Sequence, residues 1–238
     1  MTLLQTRSLT KCFMQGHTEV RALDDVSLTV STGEFVALVG PSGSGKTTLL
    51  NLLGALDVPT RGGVWINGTA LECLTARERA QFRLHQLGFV FQAFNLVPVL
   101  SAVENVELIL VLQGWGKSKA RQQATRYLAS VGLAELVHRR PSALSGGQQQ
   151  RVAVARALAS EPKLILADEP TANLDASNAA SLLDIMHQLC RDQGTTFIFS
   201  THDNRVMARA QRIVTLEDGR IVSDEKQALE RAAGVISC

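Results

Sequence analysis

Residues 40–47 read GPSGSGKT and combine the residue types that bind phosphate. They match the pattern G-x-x-x-x-G-K-[ST], and the flanking segments EFVALV and KTTLLNLL predict the strand and the helix that this loop requires. Its glycines allow backbone N–H groups to face an anion, its lysine adds a positive charge, and its threonine hydroxyl can bind Mg²⁺. The alternative is a Gly/Ser-rich turn that matches by chance. The candidate nucleotide-binding residues are Gly40, Ser42, Gly43, Ser44, Gly45, Lys46, Thr47 and Thr48.

Two adjacent acids follow a second apolar stretch, KLILADEP, at residues 163–170. A carboxylate at the end of a strand beside the loop can hold Mg²⁺ through water, so Asp168 joins Thr47 as a candidate metal-site residue. Glu169 points elsewhere and is the candidate general base that orients an attacking water. The alternative is a solvated turn before Pro170. With the loop present, the pair predicts a nucleotide hydrolase.

A second glycine-rich segment, LSGGQ at residues 144–148, precedes the helical pattern GGQQQRVAVARALAS. An ordinary N-cap at Ser145 explains a helix start. It does not explain a second site suited to phosphate in a chain whose first loop already serves one nucleotide. Exposed amides at a helix N-terminus attract anions, so Ser145, Gly146, Gly147 and Gln148 are further candidate phosphate-binding residues.

Taken together, these segments resemble the ATP-binding cassette (ABC) ATPases over nearly the whole chain. The resemblance implies a homodimer that binds two ATP molecules with Mg²⁺, in which LSGGQ contacts the γ-phosphate held by the opposite subunit. It further implies that Gln92 reaches Mg²⁺ and the water and relays nucleotide state, that His202 senses the γ-phosphate, and that Asp175 communicates across the dimer. Phe13 stands where the family usually has a tyrosine that stacks on adenine. The alternatives are a polar strand end for Gln92, a core-edge histidine for His202 and a buried core side chain for Phe13.

Apolar runs that alternate with amphipathic stretches predict parallel strands with helical crossovers. We expect a single α/β domain over residues 1–238. Its P-loop core has a mainly parallel sheet (residues 1–70 and 142–238), and the core includes an N-terminal antiparallel β subdomain with RALDDVSLTV as one strand. A helical subdomain is inserted at about residues 71–141, with an apolar stripe at Ala120, Ala124, Tyr127, Leu128 and Val131. The last dozen residues favour a short helix followed by a frayed tail.

The composition limits the partners. A formal net charge of +2 gives no basic field that would favour nucleic acid or anionic lipid. The N-terminus lacks the apolar core of a signal peptide, and the apolar runs are shorter than the roughly 20 residues that span a bilayer. We therefore expect a cytoplasmic protein that reaches the inner face of the cell membrane through a permease.

Longer segments narrow the resemblance to one branch of the family. LGALDVPTRGGVWINGTAL, RLHQLGFVFQAFNLVPVLSAVENV and ADEPTANLD are similar to lipoprotein-releasing, macrolide, haem and peptide efflux cassettes. The branch implies a separate membrane permease with a large extracytoplasmic domain. Its coupling helix is expected near residues 92–104, on Phe94, Leu96, Val97, Val99 and Leu100. The alternatives are a non-transporting ATPase that drives a cell-envelope regulator and a soluble cassette acting on ribosomes or DNA.

Overall fold

The computed structural model describes residues 1–227, and the helix and tail expected at the C-terminus fall outside them. The strands of these residues are β1 (Thr2–Gln15), β2 (Thr18–Val26), β3 (Thr29–Ser31), β4 (Phe35–Val39), β5 (Arg61–Ile66), β6 (Thr69–Ala70), β7 (Leu87–Val90), β8 (Leu164–Asp168), β9 (Thr196–Ser200), β10 (Arg212–Glu217) and β11 (Arg220–Lys226). The α-helices are α1 (Lys46–Leu53), α2 (Ala76–Gln86), α3 (Ala102–Leu112), α4 (Lys117–Ser130), α5 (Gly146–Ala159), α6 (Ala176–Gln193) and α7 (Asn204–Met207). No helix among residues 1–227 combines the length and apolarity needed to span a bilayer.

The main sheet has the order β11-β10-β4-β9-β8-β7. Its strands are parallel except for the β10–β11 hairpin. Every residue of β4 and β9 is buried, as expected for central strands covered on both faces. This sheet, with its helices and the antiparallel sheet beside it, confirms the predicted α/β fold class.

Alternate residues of β4 face different cores. Phe35, Ala37 and Val39 belong to a core with α3, α4, α5 and α6, while Val36 and Leu38 belong to a second core with α1 and the antiparallel sheet. The period of two follows from strand geometry, in which successive side chains point to opposite faces. The main sheet is therefore the middle layer, and its carboxyl edge is free to carry a site.

The antiparallel sheet has the order β2-β1-β5-β6, with β3 paired to β1. The expectation that RALDDVSLTV forms one strand was wrong, since β2 ends at Val26 and β3 starts at Thr29. The side chain of Thr6 bridges this break: its hydroxyl donates to the carbonyl of Val26 (3.0 Å) and accepts from the N–H of Leu28 (2.8 Å). The interruption is stable because the buried backbone groups beside it are paired.

The block expected to be helical contains a core strand. Residues 87–90 form β7, which pairs with β8 in the main sheet, so the range of about 71–141 is not helical throughout. Gly88 allows β7 to pack closely against α5, because a Cβ at this position would lie 2.7 Å from the carbonyl oxygen of Ala157. Beyond β7, the α4 stripe of Ala120, Ala124, Tyr127, Leu128 and Val131 is buried as predicted.

Helices α2, α3 and α5 each begin with a capping box. The side chains of Thr75, Ser101 and Ser145 accept a hydrogen bond from the backbone N–H three residues later, and the side-chain oxygen of that later residue accepts one from the backbone N–H of the cap. The bond from the Ser101 hydroxyl holds the pKa of Glu104 below its ordinary value. These caps fix where the helical layer meets the carboxyl edge of the sheet.

Candidate active site

The loop at residues 40–45 leads from β4 into α1 and requires glycine at two positions. Gly40 has φ 145° and Gly45 has φ 102°. A Cβ at Gly40 would lie 2.0 Å from the carbonyl oxygen of Leu216, and one at Gly45 would lie 2.6 Å from that of Ala22. Both the backbone conformation and the packing therefore exclude a larger residue.

Lys46 opens α1, and its side chain folds back over the loop. Its Nζ donates to the carbonyl oxygens of Gly40 and Pro41, each at 2.8 Å, and the residue is only 9% exposed. These acceptors are neutral, so the positive charge of the ammonium group is available to an anion that enters the loop. Ser44 is buried beneath the ammonium, with its Oγ 3.5 Å from Nζ.

Thr47 and Asp168 meet at the carboxyl edge of the main sheet. The Thr47 hydroxyl donates to Asp168 Oδ2 at 3.1 Å, and the Ser200 hydroxyl donates to Asp168 Oδ1 at 2.5 Å. A hydroxyl oxygen and a carboxylate are hard oxygen ligands of the kind that Mg²⁺ prefers when phosphates and water complete its shell. The residues present therefore fit a magnesium-bound nucleotide.

Glu169 turns away from Asp168 because its backbone is left-handed, with φ 46°. Its N–H donates to Ser200 Oγ at 2.9 Å, which fixes the turn. Its Oε1 lies 3.1 Å from His202 Nδ1. The left-handed conformation costs a residue with a Cβ about 1–2 kcal/mol. The two adjacent carboxylates thus lie in different places: Asp168 accepts from the Thr47 hydroxyl, and Glu169 lies beside His202.

An open cavity of ≈ 590 Å³ lies over the loop, within the range of sites that hold small molecules. The candidate residues that line it come from the loop, from α1 and from the ends of β8 and β9. They are Gly40, Ser42, Gly43, Gly45, Lys46, Thr47, Thr48, Glu169 and His202, together with Ala22 and Pro41.

Phe13 lies outside this cavity, on β1. It pairs with Val20, two residues before the cavity-lining Ala22. The alternative of a buried core side chain was wrong, since Phe13 is 43% exposed and Lys11 Nζ lies 4.9 Å from its ring centroid. Phe13 therefore exposes part of its ring on the strand pair that also carries the cavity-lining Ala22.

The signature loop, which we define as Leu144–Gln148, also lies outside the cavity. Ser145 is the N-cap of α5, so the ordinary capping role is present. Gly147 packs against Asn178, whose Cγ would be 3.0 Å from a Cβ there. Asn178 in turn donates from its backbone N–H to Asp175, the N-cap of α6, and this bond lowers the pKa of the Asp175 carboxyl.

Gln92 follows β7 and does not line the cavity. Its side chain is exposed, and its backbone oxygen accepts a hydrogen bond from Asn173 Nδ2 at 2.9 Å. The segment that carries Gln92 therefore contacts the chain just beyond Glu169 through the backbone.

Ser200 is a residue that the sequence reasoning missed. It is fully buried, contacts both Asp168 and the backbone of Glu169, and lies opposite Asp168 in the β8–β9 register. A signal was present, because FIFS ends an apolar strand on a polar residue just as KLILAD does. The parallel pairing brings the two strand ends together.

Replacing Ser200 with alanine is expected to raise the Mg²⁺ concentration needed for half-maximal ATP hydrolysis by roughly tenfold, because Asp168 loses the donor that orients it. The measurement is ATPase rate against Mg²⁺ concentration. The control is Thr196→Val, which removes a buried hydroxyl that accepts from Gly33 N–H at the other end of β9. Equal Mg²⁺ dependence in both variants would show that Ser200 only stabilises the strand.

A phosphate-binding loop between a strand and a helix, with two adjacent acids at the carboxyl end of the parallel strand β8, defines a P-loop nucleotide hydrolase. The profile of the ABC transporter family matches residues 23–172. The chain belongs to the ABC transporter family and is an ATP-binding, ATP-hydrolysing cassette.

Similar proteins include cassettes of the macrolide-export and lipoprotein-releasing branch of the family. The macrolide export ATP-binding/permease protein MacB of Hyphomonas neptunium is 49% identical over 97% of this chain, which spans only 36% of that protein. The lipoprotein-releasing system ATP-binding protein LolD of Bordetella avium is 45% identical over 92% of this chain and 95% of its own length.

A solved structure agrees on the fold. The ATP-binding cassette MJ0796 of Methanocaldococcus jannaschii, a dimer in a post-hydrolysis state with ADP and Pi, superimposes with a TM-score of 0.88. It is 40% identical, and the match covers 94% of this chain and 98% of that one.

Proposed function

We propose that two copies of this chain close around two ATP molecules and drive a membrane permease of the MacB or LolD type. The observation that carries the proposal is the shared cavity, where Lys46, Glu169 and His202 face the phosphate loop. Lys46 and the loop amides bind the phosphates, while Thr47 and Asp168 hold Mg²⁺, which neutralises phosphate charge when bound. Glu169 accepts the proton of the attacking water, and His202 orients Glu169 and contacts the γ-phosphate.

The dimer gives the signature loop a ligand. Ser145, Gly146, Gly147 and Gln148 lie outside the cavity of their own chain, so they serve the nucleotide of the second copy. Asn178 contacts Gly147 and donates a hydrogen bond to Asp175, so Asp175 moves with the signature loop when the dimer closes. MJ0796, similar over nearly its whole length, was solved as a dimer.

Two further residues complete the nucleotide site on closure. Gln92 turns toward the Mg²⁺ from its exposed position beside β7, and Phe13 stacks on the adenine. The permease has a large extracytoplasmic domain, as the branch implies, and recruits the cassette to the inner face of the membrane. Release of a lipoprotein or export of a macrolide fits the relatives' names, and the branch also implies haem or peptide efflux as candidates.

A groove of ≈ 390 Å³ on the helical side is the docking site for the permease. The sequence instead predicted docking on residues 94–100. In that segment Leu96 packs against the core, and the N–H of Val97 donates to the Asn105 side chain, so both residues already have partners within the chain. The apolar lining comes from the end of α2, from β7 and from α3, at Leu84, Leu87, Phe89, Phe91, Leu108 and Ile109, with Leu56 after α1.

The groove continues onto an exposed apolar face of α3. Leu112 lies one turn beyond Leu108 and is 60% exposed, and Trp115 follows the helix at 40%. Arg83 and Arg156 line the groove, and each donates to backbone carbonyls. An amphipathic helix with apolar anchors and an acidic residue is complementary to this surface.

Replacing Leu112 with aspartate is expected to reduce recovery of the permease by about tenfold, equivalent to about 1.4 kcal/mol of binding. The measurement is co-purification of the tagged chain from membranes, with identification of the membrane-spanning partner and assay of ATP hydrolysis. The control is Val222→Asp, an exposed site on β11 at the opposite edge of the main sheet. Undiminished recovery with Leu112→Asp would remove the groove assignment, and absence of any membrane-spanning partner with the parent would remove the permease.

A further inference from the structure

Gln150 lies on α5 two residues beyond the signature loop, with its amide group fully buried. Its Nε2 donates to the carbonyl oxygen of Pro170 at 2.8 Å and, more weakly, to that of Phe91 at 3.5 Å. Pro170 follows Glu169, and Phe91 precedes Gln92. One side chain of α5, the signature helix, therefore contacts the backbone beside both Glu169 and Gln92, the two residues that the proposed function assigns to the attacking water.

The segment at residues 91–95 closes on itself through two backbone hydrogen bonds, from Phe94 N–H to the Phe91 oxygen (3.1 Å) and from Asn95 N–H to the Ala93 oxygen (2.6 Å). Side chains of other elements hold its remaining carbonyls. Asn173 donates to the carbonyl of Gln92, and Arg156, also on α5, donates to those of Phe94 (2.9 Å) and Asn95 (2.5 Å). Phe94 and Asn95 both have left-handed backbones, with φ 60° and 50°. Since side chains with a Cβ disfavour this conformation, the donors from α5 help to maintain it.

The other half of the Gln150 amide has no partner. Its Oε1 is buried and makes no hydrogen bond within residues 1–227. An unpaired buried carbonyl is unfavourable, and an apolar residue of similar length would avoid this cost. Packing alone does not explain an amide at this position, whereas the hydrogen bonds that Nε2 donates to Pro170 and Phe91 do. The unpaired Oε1 can accept a hydrogen bond when the neighbouring backbone moves.

We propose that Gln150 is a positioning residue that fixes Glu169 and Gln92 relative to the signature helix. When the signature loop engages the nucleotide of the second copy, any displacement of α5 is passed through this amide to Pro170 and Phe91. Hydrolysis then depends on the same helix that senses the partner's ATP. The inference rests on the proposed role of Glu169.

The test is Gln150→Met, which keeps the length of the side chain and removes both polar groups. We expect kcat to fall by about 10-fold to 100-fold, as for a catalytic group misplaced by about 1 Å, with the KM for ATP changed less than about twofold. Binding is spared because Gln150 does not line the phosphate cavity. The control is Val152→Ala, which removes buried volume from the same helix without touching either carbonyl, and it should keep the parental kcat well below its melting temperature.

Gln150→Glu adds a readout that a purely structural role does not predict. A buried neutral carboxyl group can donate to the Pro170 carbonyl, whereas the carboxylate repels it, and burial favours the neutral form. Relative to the parent, this variant should regain kcat as the pH falls, while Gln150→Met should not. This profile remains informative if the methionine variant does not fold.

Parental kcat in Gln150→Met, equal loss in Val152→Ala, or a lowered kcat in Gln150→Glu that does not recover relative to the parent as the pH falls would each overturn the inference. Glu169→Gln is measured alongside. If that variant hydrolyses ATP at the parental rate, the role that the proposed function gives to Glu169 fails. If it is inactive while Gln150→Met is fully active, only the inference about Gln150 fails.

Discussion

Glu169→Gln is expected to bind Mg-ATP, to lose hydrolysis by about 100-fold to 10,000-fold and to accumulate as an ATP-bound dimer. The glutamine keeps the shape of the side chain but cannot accept the proton of the attacking water. The phosphate contacts of Lys46 and the loop are untouched, so nucleotide affinity remains. The measurements are the steady-state ATPase rate and the molecular mass by light scattering, with and without Mg-ATP.

The control for this variant is Glu135→Gln, at an exposed carboxylate away from the cavity. It should hydrolyse ATP at the parental rate and show no added dimer. His202→Ala should lie closer to Glu169→Gln, because His202 Nδ1 contacts the carboxylate. Parental hydrolysis by Glu169→Gln would exclude Glu169 as the base, and a monomer with bound ATP would separate nucleotide binding from dimerisation.

The parts of this site that could be predicted are those fixed by local sequence. Gly40 and Gly45 have backbone conformations that other residues rarely adopt, so the residue types and their spacing are enough to predict the loop. The central strands were predictable because both faces are buried, which produces continuous apolar runs. The α4 stripe was predictable because its period is helical.

What the sequence did not reveal depends on contacts between distant segments. Ser200 acts beside Asp168 only because β8 and β9 pair in one register, and a serine at a strand end has no distinctive spacing of its own. The break between β2 and β3 depends on Thr6, more than twenty residues away. Residues 87–90 are too few for periodicity to separate a strand from a helix.

The groove that we propose as the docking site could not be predicted from sequence for the same reason. Its walls come from α2, β7, α3 and α5, so no single segment carries its pattern. The segment at residues 94–100 is expected from sequence to offer an exposed apolar surface, but within it Leu96 packs against the core while Val99 is 70% exposed. An apolar residue is equally suited to a core and to an interface, and only the assembled fold decides between them.

Lys46→Ala is expected to raise the Kd for ATP by roughly 100-fold or more. Each charge-assisted hydrogen bond to phosphate contributes about 1.5–3 kcal/mol, and the ammonium that now binds the carbonyls of Gly40 and Pro41 can direct at least two such bonds to a nucleotide. The measurement is calorimetric titration with Mg-ATP, with Lys119→Ala as the control because that lysine is exposed on α4. A melting curve separates loss of binding from loss of folding, since the loop carbonyls of the variant also lose their donor. Hydrolysis should fall in parallel with binding, in contrast to Glu169→Gln, where binding persists. An unchanged Kd in Lys46→Ala would mean that the loop amides alone hold the phosphates and that the cavity owes its affinity to the backbone.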